Sequence, residues 1–399
     1  MSGRTAMRER SMRNALHRNI DVTYLFEFGK NMGFTQAIWV TYLAYKGLTL
    51  VEIGLCESVF HLTSMVMELP TGMIADLYGR KISRLLGIVS NLIYLFLLIF
   101  VDNVAMAFVA FVFAALSYNL ESGADTALIY DSLLVNNATE SFTKIQGRRE
   151  VILQSASLIG VVVGGVLADI DYNLAIFASI GLAVVVFGIG TRFTEAPYPK
   201  DQSKFTKAFA NQFMKPWKMV KEQPELVFHM VLVAVVLSAV TTTHYYATAY
   251  FKSQGFSLTL ISIFLVLQAV GAITGGLVAD RLKVRFNEEF LFGVFPFLIA
   301  MAVAMIPTPL FVVSLFLMGL ADSVLYVVLT NLINHRISSD QRATILSLNS
   351  MFFSIIMIVL FPVFGMFGDR FGLDRSFYVL AILIGIVALL NRMKIRAKR

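Results

Sequence analysis

Long apolar runs alternate along the chain with short polar segments. Stretches such as 84–101 (RLLGIVSNLIYLFLLIFV), 172–190 and 376–391 are long enough, as helices, to cross a hydrocarbon core about 30 Å thick. Segmenting the chain in this way predicts twelve spans: 19–45, 51–75, 83–101, 104–134, 146–169, 172–191, 226–251, 257–280, 288–307, 309–334, 342–366 and 374–392. Helices are expected throughout, because backbone groups in lipid must find partners within the segment or a closed barrel. One polar stretch is much longer than the rest, 192–225, rich in Lys, Arg and Pro. It reads as a cytoplasmic linker with a basic amphipathic helix around 203–221 lying on the inner leaflet. The expected organisation is a six-helix half over 1–191, the linker over 192–225, and a second six-helix half over 226–399.

The apolar spans end on a recurring phrase. Gly72-Met-Ile-Ala-Asp76 closes span 2, Gly165-Val-Leu-Ala-Asp169 span 5, Gly276-Leu-Val-Ala-Asp280 span 8 and Gly365-Met-Phe-Gly-Asp369 span 11. Further pairs keep nearly the same spacing between the halves: Ala124 to Leu128 with Ala321 to Leu325, Arg149-x-x-Ile152-Leu153 with Arg342-x-x-Ile345-Leu346, and Gly47-Leu-Thr-Leu with Gly255-Phe-Ser-Leu. A shared register across several weak matches is the mark of an internal repeat. Two parallel halves, each holding repeats, point to a secondary transporter with its site near the middle of the membrane.

Composition strengthens the membrane reading, with 57% of the 399 residues hydrophobic, 15% charged and a mean hydropathy of +0.73. The net charge of +7 raises nucleic acid as a partner, but its distribution argues otherwise. With the N-terminus inside, the Lys and Arg residues fall in cytoplasmic segments, apart from Lys46, Lys252, Arg370 and Arg375 in outer loops and Lys30 in the first span. That asymmetry is the positive-inside rule at work, and it puts both ends in the cytoplasm. The basic N-terminus has no apolar core of the kind a signal peptide carries. The single Cys56 excludes an intramolecular disulfide and any cysteine-based metal cluster.

Gly72-x-x-x-Asp76-x-x-Gly79-Arg80-Lys81, between spans 2 and 3, resembles the signature loop of the major facilitator superfamily, and the 6+6 layout covers the whole chain. The position after the aspartate, often arginine in that family, is Leu77 here. The resemblance implies the twelve-helix, two-half major facilitator fold in a bacterial cell membrane, acting as a monomer on a small-molecule substrate without a cofactor. It also implies that Asp76, Arg80 and Lys81 latch the inner side, with Asp131 as partner of Arg80. Gly72 is expected to admit a neighbouring helix and Gly79 to permit the turn. The alternative is a plain topology anchor.

Ionisable groups inside spans are costly and default to functional hypotheses. Span 1 carries Glu27, Lys30 and Asn31; span 2 carries Glu57, His61 and Glu68; span 4 carries Asn119, Glu121, Asp125 and Asp131; span 7 carries His244, Tyr245 and Tyr246; span 10 carries Asp322 and Tyr326. Carboxylates outnumber cations in this inventory, where Lys30 is the one evident cation, so the cavity is expected to favour protons or a positively charged substrate. Glu27, Lys30, Glu121 and Asp125 are the proton-coupling candidates. Asn31, Trp39, Glu57, His61, Asn119, His244, Tyr245, Tyr246, Asp322 and Tyr326 are the substrate candidates, the aromatic faces suiting organic cations. An ion pair between Lys30 and Glu27 is the structural alternative within span 1.

Drug/proton antiporters of the superfamily commonly carry an arginine in span 4, four residues before a glycine, and a G-P-x-x-G-G run in span 5. Here the first position is Asn119, and the second is Gly160-Val-Val-Val-Gly164-Gly165 without the proline. These glycines are expected to pack span 5 tightly against the other half, and Lys30 to stand in for the missing positive charge. No phosphate-binding loop is present, which excludes a nucleotide-driven pump. The reading is a proton-coupled exporter of amphipathic or cationic small molecules, neither an enzyme nor a metalloprotein, driven by the proton gradient. Sugar, amino-acid or siderophore transport within the same fold is the alternative, and a nontransporting sensor a distant one.

Overall fold

The computed structural model describes residues 3–196, 223–337 and 342–397. The amphipathic helix expected around 203–221 lies outside the described residues. The helices are α1 (Gly3–Asn31), α2 (Trp39–Tyr45), α3 (Leu50–Tyr78), α4 (Arg80–Ile99), α5 (Val104–Glu121), α6 (Ala124–Val135), α7 (Phe142–Ile170), α8 (Tyr172–Gly190), α9 (Pro224–Ser253), α10 (Leu258–Arg285), α11 (Glu288–Met305), α12 (Phe311–Arg336), α13 (Arg342–Phe371) and α14 (Leu373–Ala397).

Eleven helical segments among the described residues are long and apolar enough to cross a membrane. The remaining expected span, 19–45, is interrupted: α1 stops at Asn31 and α2 starts at Trp39. Span 4 is interrupted too, at Ser122-Gly123 between α5 and α6, with Gly123 at φ +79°. Residues such as Ile170, Leu277 and Leu390 are more than half exposed; bulky apolar side chains turned outward suit a lipid surround.

The chain divides into two compact units. One holds the described residues of Met1–Gln36 and Thr63–Phe205, the other those of Ala37–Leu62 and Thr206–Arg399. The first crossing between them lies in the α1–α2 break and the second within α3. In the first unit α4 packs on α5 and α8, and α1 on α6, α7 and α8. In the second, α11 packs on α12 and α14, and α9 on α12, α13 and α14. In these contacts corresponding spans of the repeat pair alike.

The repeat extends to hydrogen bonds. Gly47 (φ +91°) and Gly255 (φ +87°) each follow a helix end. Leu48 N–H donates to Leu43 C=O and Phe256 N–H to Phe251 C=O, while the glycine N–H groups donate to Ala44 and Lys252. Both are glycine-terminated helix ends in which a left-handed residue lets the chain fold back onto its last carbonyls. The next polar residue then caps the following helix: Thr49 Oγ1 accepts from Glu52 N–H at 3.3 Å and Ser257 Oγ from Leu260 N–H at 3.2 Å.

Glycines also set the helix spacing. A Cβ on Gly160 or Gly164 would collide with the backbone of Met32 or Phe34, in the unwound part of span 1. The expected packing of this run against the other half is therefore corrected: it accommodates the break in span 1 within its own unit, with Gly165 buried beside it. Non-helical backbone at membrane depth is tolerated where protein covers it, and Phe34 is 9% exposed. Ser157 Oγ ties α7 to the same segment by donating to Gln36 Oε1 at 3.0 Å. In the second unit Gly271, Gly275 and Gly319 bring the backbones of α10 and α12 together in the same manner.

Candidate functional site

The two interrupted spans place the first unit's ionisable groups. Glu27 and Lys30 occupy the last turn of α1, Glu121 is the last residue of α5, and Asp125 is the second residue of α6. Asp125 thus sits where a helix dipole favours an anion and Lys30 where it favours a cation.

Two arginines join these carboxylates. Arg84, on the second turn of α4 and 0% exposed, donates from Nη2 to Glu27 Oε1 at 2.7 Å and from Nε to Glu121 Oε2 at 3.2 Å. Its guanidinium lies over the rings of Phe26 and Phe193, 4.3 and 4.7 Å from their centroids. Arg149, on α7, bridges Glu27 Oε1 at 3.3 Å and Asp125. Lys30 Nζ reaches Glu121 Oε2 at 3.2 Å, and Asn31 Nδ2 donates to Glu27 Oε2 at 3.0 Å.

The network balances Glu27, Glu121 and Asp125 against Lys30, Arg84 and Arg149. It corrects the expectation that Lys30 is the one cation available, and in place of the alternative Lys30–Glu27 pair Lys30 meets Glu121. Arg84 and Arg149 lie near the inner ends of their spans, where the positive-inside rule expects basic residues, so a linear count assigns them to topology. Folding turns both inward. They supply the positive charge that Asn119 lacks, while Asn119 itself braces α5 to α3, accepting from Ser64 Oγ at 2.7 Å and donating to Ser64 C=O at 2.8 Å. Its expected substrate role gives way to that brace. Three buried atoms of the network have no hydrogen-bond partner among the described residues, Glu121 Oε1, Arg84 Nη1 and Arg149 Nε, and a buried polar group generally demands one.

The signature loop lies at the end of α3. Arg80 pairs with Asp76 through Nη1 and approaches Asp131 at 3.8 Å through Nε. Gly79 has φ +109°, and the absent side chain leaves room for Glu195, whose carboxylate accepts from Arg80 N–H at 2.8 Å and Lys81 N–H at 2.9 Å. Lys81 Nζ donates to Thr191 C=O at 2.6 Å. Sequence reasoning left Glu195 in the linker; the structure makes it the cap of α4. Gly72 marks no close approach, since a Cβ there would meet nothing within 4 Å.

In the second unit, Trp39 stacks on Phe361 with centroids 6.0 Å apart, and Tyr245 meets the Trp39 edge at 5.1 Å. His244 Nδ1 lies 2.7 Å from Gln268 Oε1. An amide oxygen only accepts, so Nδ1 carries the proton and Nε2 presents a lone pair. Glu57 faces His61 at 3.4 Å, and His61 Nδ1 meets Ser354 Oγ at 3.2 Å. Asp322, on α12, is partly exposed and has no hydrogen-bond or ion-pair partner among the described residues. Tyr326 is 54% exposed. Tyr246 is corrected from a substrate group to a brace: it is 0% exposed, and its hydroxyl reaches the carbonyls of Leu50 at 2.9 Å and Phe361 at 3.1 Å.

The Major Facilitator Superfamily model matches residues 22–306 and 259–399. The uncharacterised MFS-type transporter YxaM of Bacillus subtilis (strain 168) is 25% identical, covering 91% of this chain and 92% of its own. The quinolone resistance protein NorA of Staphylococcus aureus (strain MRSA252) is 24% identical, covering 69% of this chain and 68% of its own. Among solved structures, the nucleoside transporter NupG superposes with a TM-score of 0.76 at 15% identity, covering 93% of this chain and 98% of its own. A D-xylose-proton symporter follows with 0.71 at 13%, covering 94% and 96%.

Proposed function

The chain belongs to the Major Facilitator Superfamily, and from that premise we propose that it is a proton-coupled exporter of amphipathic, often cationic, small molecules. The observation that carries this reading is a contrast in charge. The buried carboxylates of the first unit are matched by Lys30, Arg84 and Arg149, whereas Asp322 in the second has no cation among the described residues.

In the first unit, Glu121 holds Lys30 and Arg84 through Oε2 and leaves Oε1 unpartnered. A proton received on Oε1 cancels the charge that holds both cations, and Arg84 then turns wholly to Glu27. Because Glu121 ends α5 and Glu27 lies in the last turn of α1, proton occupancy is felt at both helix breaks. Discontinuous helices are where transporters of several folds bind ions and substrates.

In the second unit, Asp322 is a carboxylate with no cation among the described residues, a group that suits a protonated amine, and His244, Trp39 and Tyr245 are further polar and aromatic candidates for an organic cation. The resemblance to NorA supports a drug-like cargo. A second reading, transport of a polar metabolite, draws on the His244–Gln268 pair and on the nucleoside and xylose transporters that share the fold. Both readings place the protein in the cell membrane with cytoplasmic termini, working as a monomer on the proton gradient without a cofactor.

The test is accumulation of a fluorescent organic cation in cells expressing the chain. Export keeps the dye low until a proton uncoupler is added. Dye levels that match those of cells without the protein, before and after uncoupling, contradict it.

A further inference from the structure

The fourth copy of the repeated phrase, Gly365-Met-Phe-Gly-Asp369, takes no part in the proton or cargo sites. Asp369 lies near the end of α13. Its carboxylate accepts from the backbone N–H groups of Leu50 and Val51 at 2.9 and 2.8 Å, one oxygen to each. These residues open α3, and the first N–H groups of a helix have no partner inside it. The next donor, Glu52 N–H, is met locally by Thr49 Oγ1 at 3.3 Å, and the Glu52 carboxylate returns to Thr49 N–H at 2.9 Å. The start of α3 therefore has its own capping box and receives in addition a carboxylate from a residue 319 positions away.

Below this cap the same two helices meet along a seam. Gly365 leaves room for the Leu50 carbonyl, and Gly54 lies against the backbone of Pro362. Ser58 Oγ donates to Ile358 C=O at 2.7 Å, and His61 meets Ser354 further down. Close backbones and short polar contacts run along this seam. Its exposed end is closed by charge-assisted bonds that water can replace on both partners. The local capping box keeps α3 helical if Asp369 departs.

We propose that Asp369 is a latch of the transport cycle, holding the start of α3 onto α13 while this seam is closed and releasing it when the seam opens. Asp369 is thus a positioning residue: it touches neither proton site nor cargo. The other end of α3 carries Asp76 and Arg80 of the signature loop, so copies of one phrase serve both ends of one helix. With the orientation given by the basic residues, Asp369 works at the outer end. The latch rests on reading the chain as an alternating-access transporter, and is independent of which cargo or ion it moves.

The test uses the full chain in lipid nanodiscs with Cys56 replaced by alanine and spin labels at positions 55 and 363, where Leu55 and Val363 are each 40% exposed. Electron-spin distance measurements then report the seam without any cargo. The wild type is expected to show mainly the short distance. Asp369→Ala raises the ratio of long to short by about tenfold, a modest population shift; Asp369→Asn raises it less, and Asp369→Glu restores the short form. Unchanged distances in folded Asp369→Ala overturn the latch. Should alanine prevent folding, Asp369→Asn decides, and a wild-type distribution there overturns it equally. Absence of dye export by the wild type alongside a responsive seam counts against the exporter reading and leaves the latch standing.

Discussion

Arg84 and Glu27 meet at 2.7 Å with side chains 0% and 1% exposed. A guanidinium and a carboxylate so fully withdrawn from solvent are tolerable only as part of a network that returns the lost hydration. Here that network extends through Glu121, Lys30, Arg149 and Asp125, and it joins the ends of α1 and α5 at the two interrupted spans.

Removing Arg84 takes from Glu27 and Glu121 their most deeply buried cation and leaves only Arg149 and Lys30 to hold them. Arg84→Ala is expected to lower stability by about 3–5 kcal/mol, the range for breaking a buried pair. Glu27→Gln placed in the same chain should recover part of that loss. Thermal unfolding of the single and double variants in detergent checks this through the coupling energy; simple additivity would show that the two side chains do not interact.

The glycines of α7 make room for the unwound segment of span 1. Gly164→Ala drives a methyl group into the Phe34 carbonyl and should cost about 1–3 kcal/mol, as overpacking does. Gly181→Ala, on α8 with nothing within 4 Å of the added carbon, is the matched control. Its stability should hold or rise by about 0.5–1 kcal/mol, since alanine is the better helix former. Melting curves of both variants distinguish the two sites.

Glu195 caps α4 by accepting from the Arg80 and Lys81 amides. Glu195→Ala removes both acceptors and should cost about 0.5–2 kcal/mol, as loss of a helix cap does. Hydrogen-exchange mass spectrometry of a peptide spanning 79–84 should show faster exchange at those amides, with α8 unaffected. Equal exchange in both proteins would mean the cap has no energetic weight.

Asp322 is assigned the positive charge of the cargo. Asp322→Asn is expected to weaken binding of a permanently charged cation about tenfold or more, at about 1.4 kcal/mol per decade. Binding of an uncharged compound of similar shape should change little. Equilibrium binding to purified protein measures both, and equal losses for the two compounds would remove the charge-recognition role.

The spans, the repeat and the signature loop were legible because each is written in local periodicity or in contiguous residues. Gly47 and Gly255 announced matching helix ends and adopt them. The interruptions were less legible, since the apolar runs resume directly after Gly33-Phe-Thr-Gln36 and after Glu121-Ser-Gly123, so that each polar insert reads as a few functional groups within one continuous span. Arg84 and Arg149 were hidden by their position, because a basic residue near the inner end of a span is also what topology demands. Which arginine turns inward depends on the carboxylates of α1 and α5, and those come close only on folding. Glu195 was hidden in the same way, as one acid in a basic linker. Tyr246 misled in the other direction: an aromatic in a cavity-lining span looks like a substrate group, and packing made it a brace.

In the proposed cycle Glu121 carries the proton that drives export. The direct measurement is proton movement in liposomes holding purified protein, followed with an internal pH dye as tetraphenylphosphonium is added. The wild type is expected to show proton flux opposite to the cation. Glu121→Gln is expected to show none, with cation-for-cation counterflow retained. Cation flux without proton movement in the wild type, or undiminished proton movement in Glu121→Gln, would contradict it.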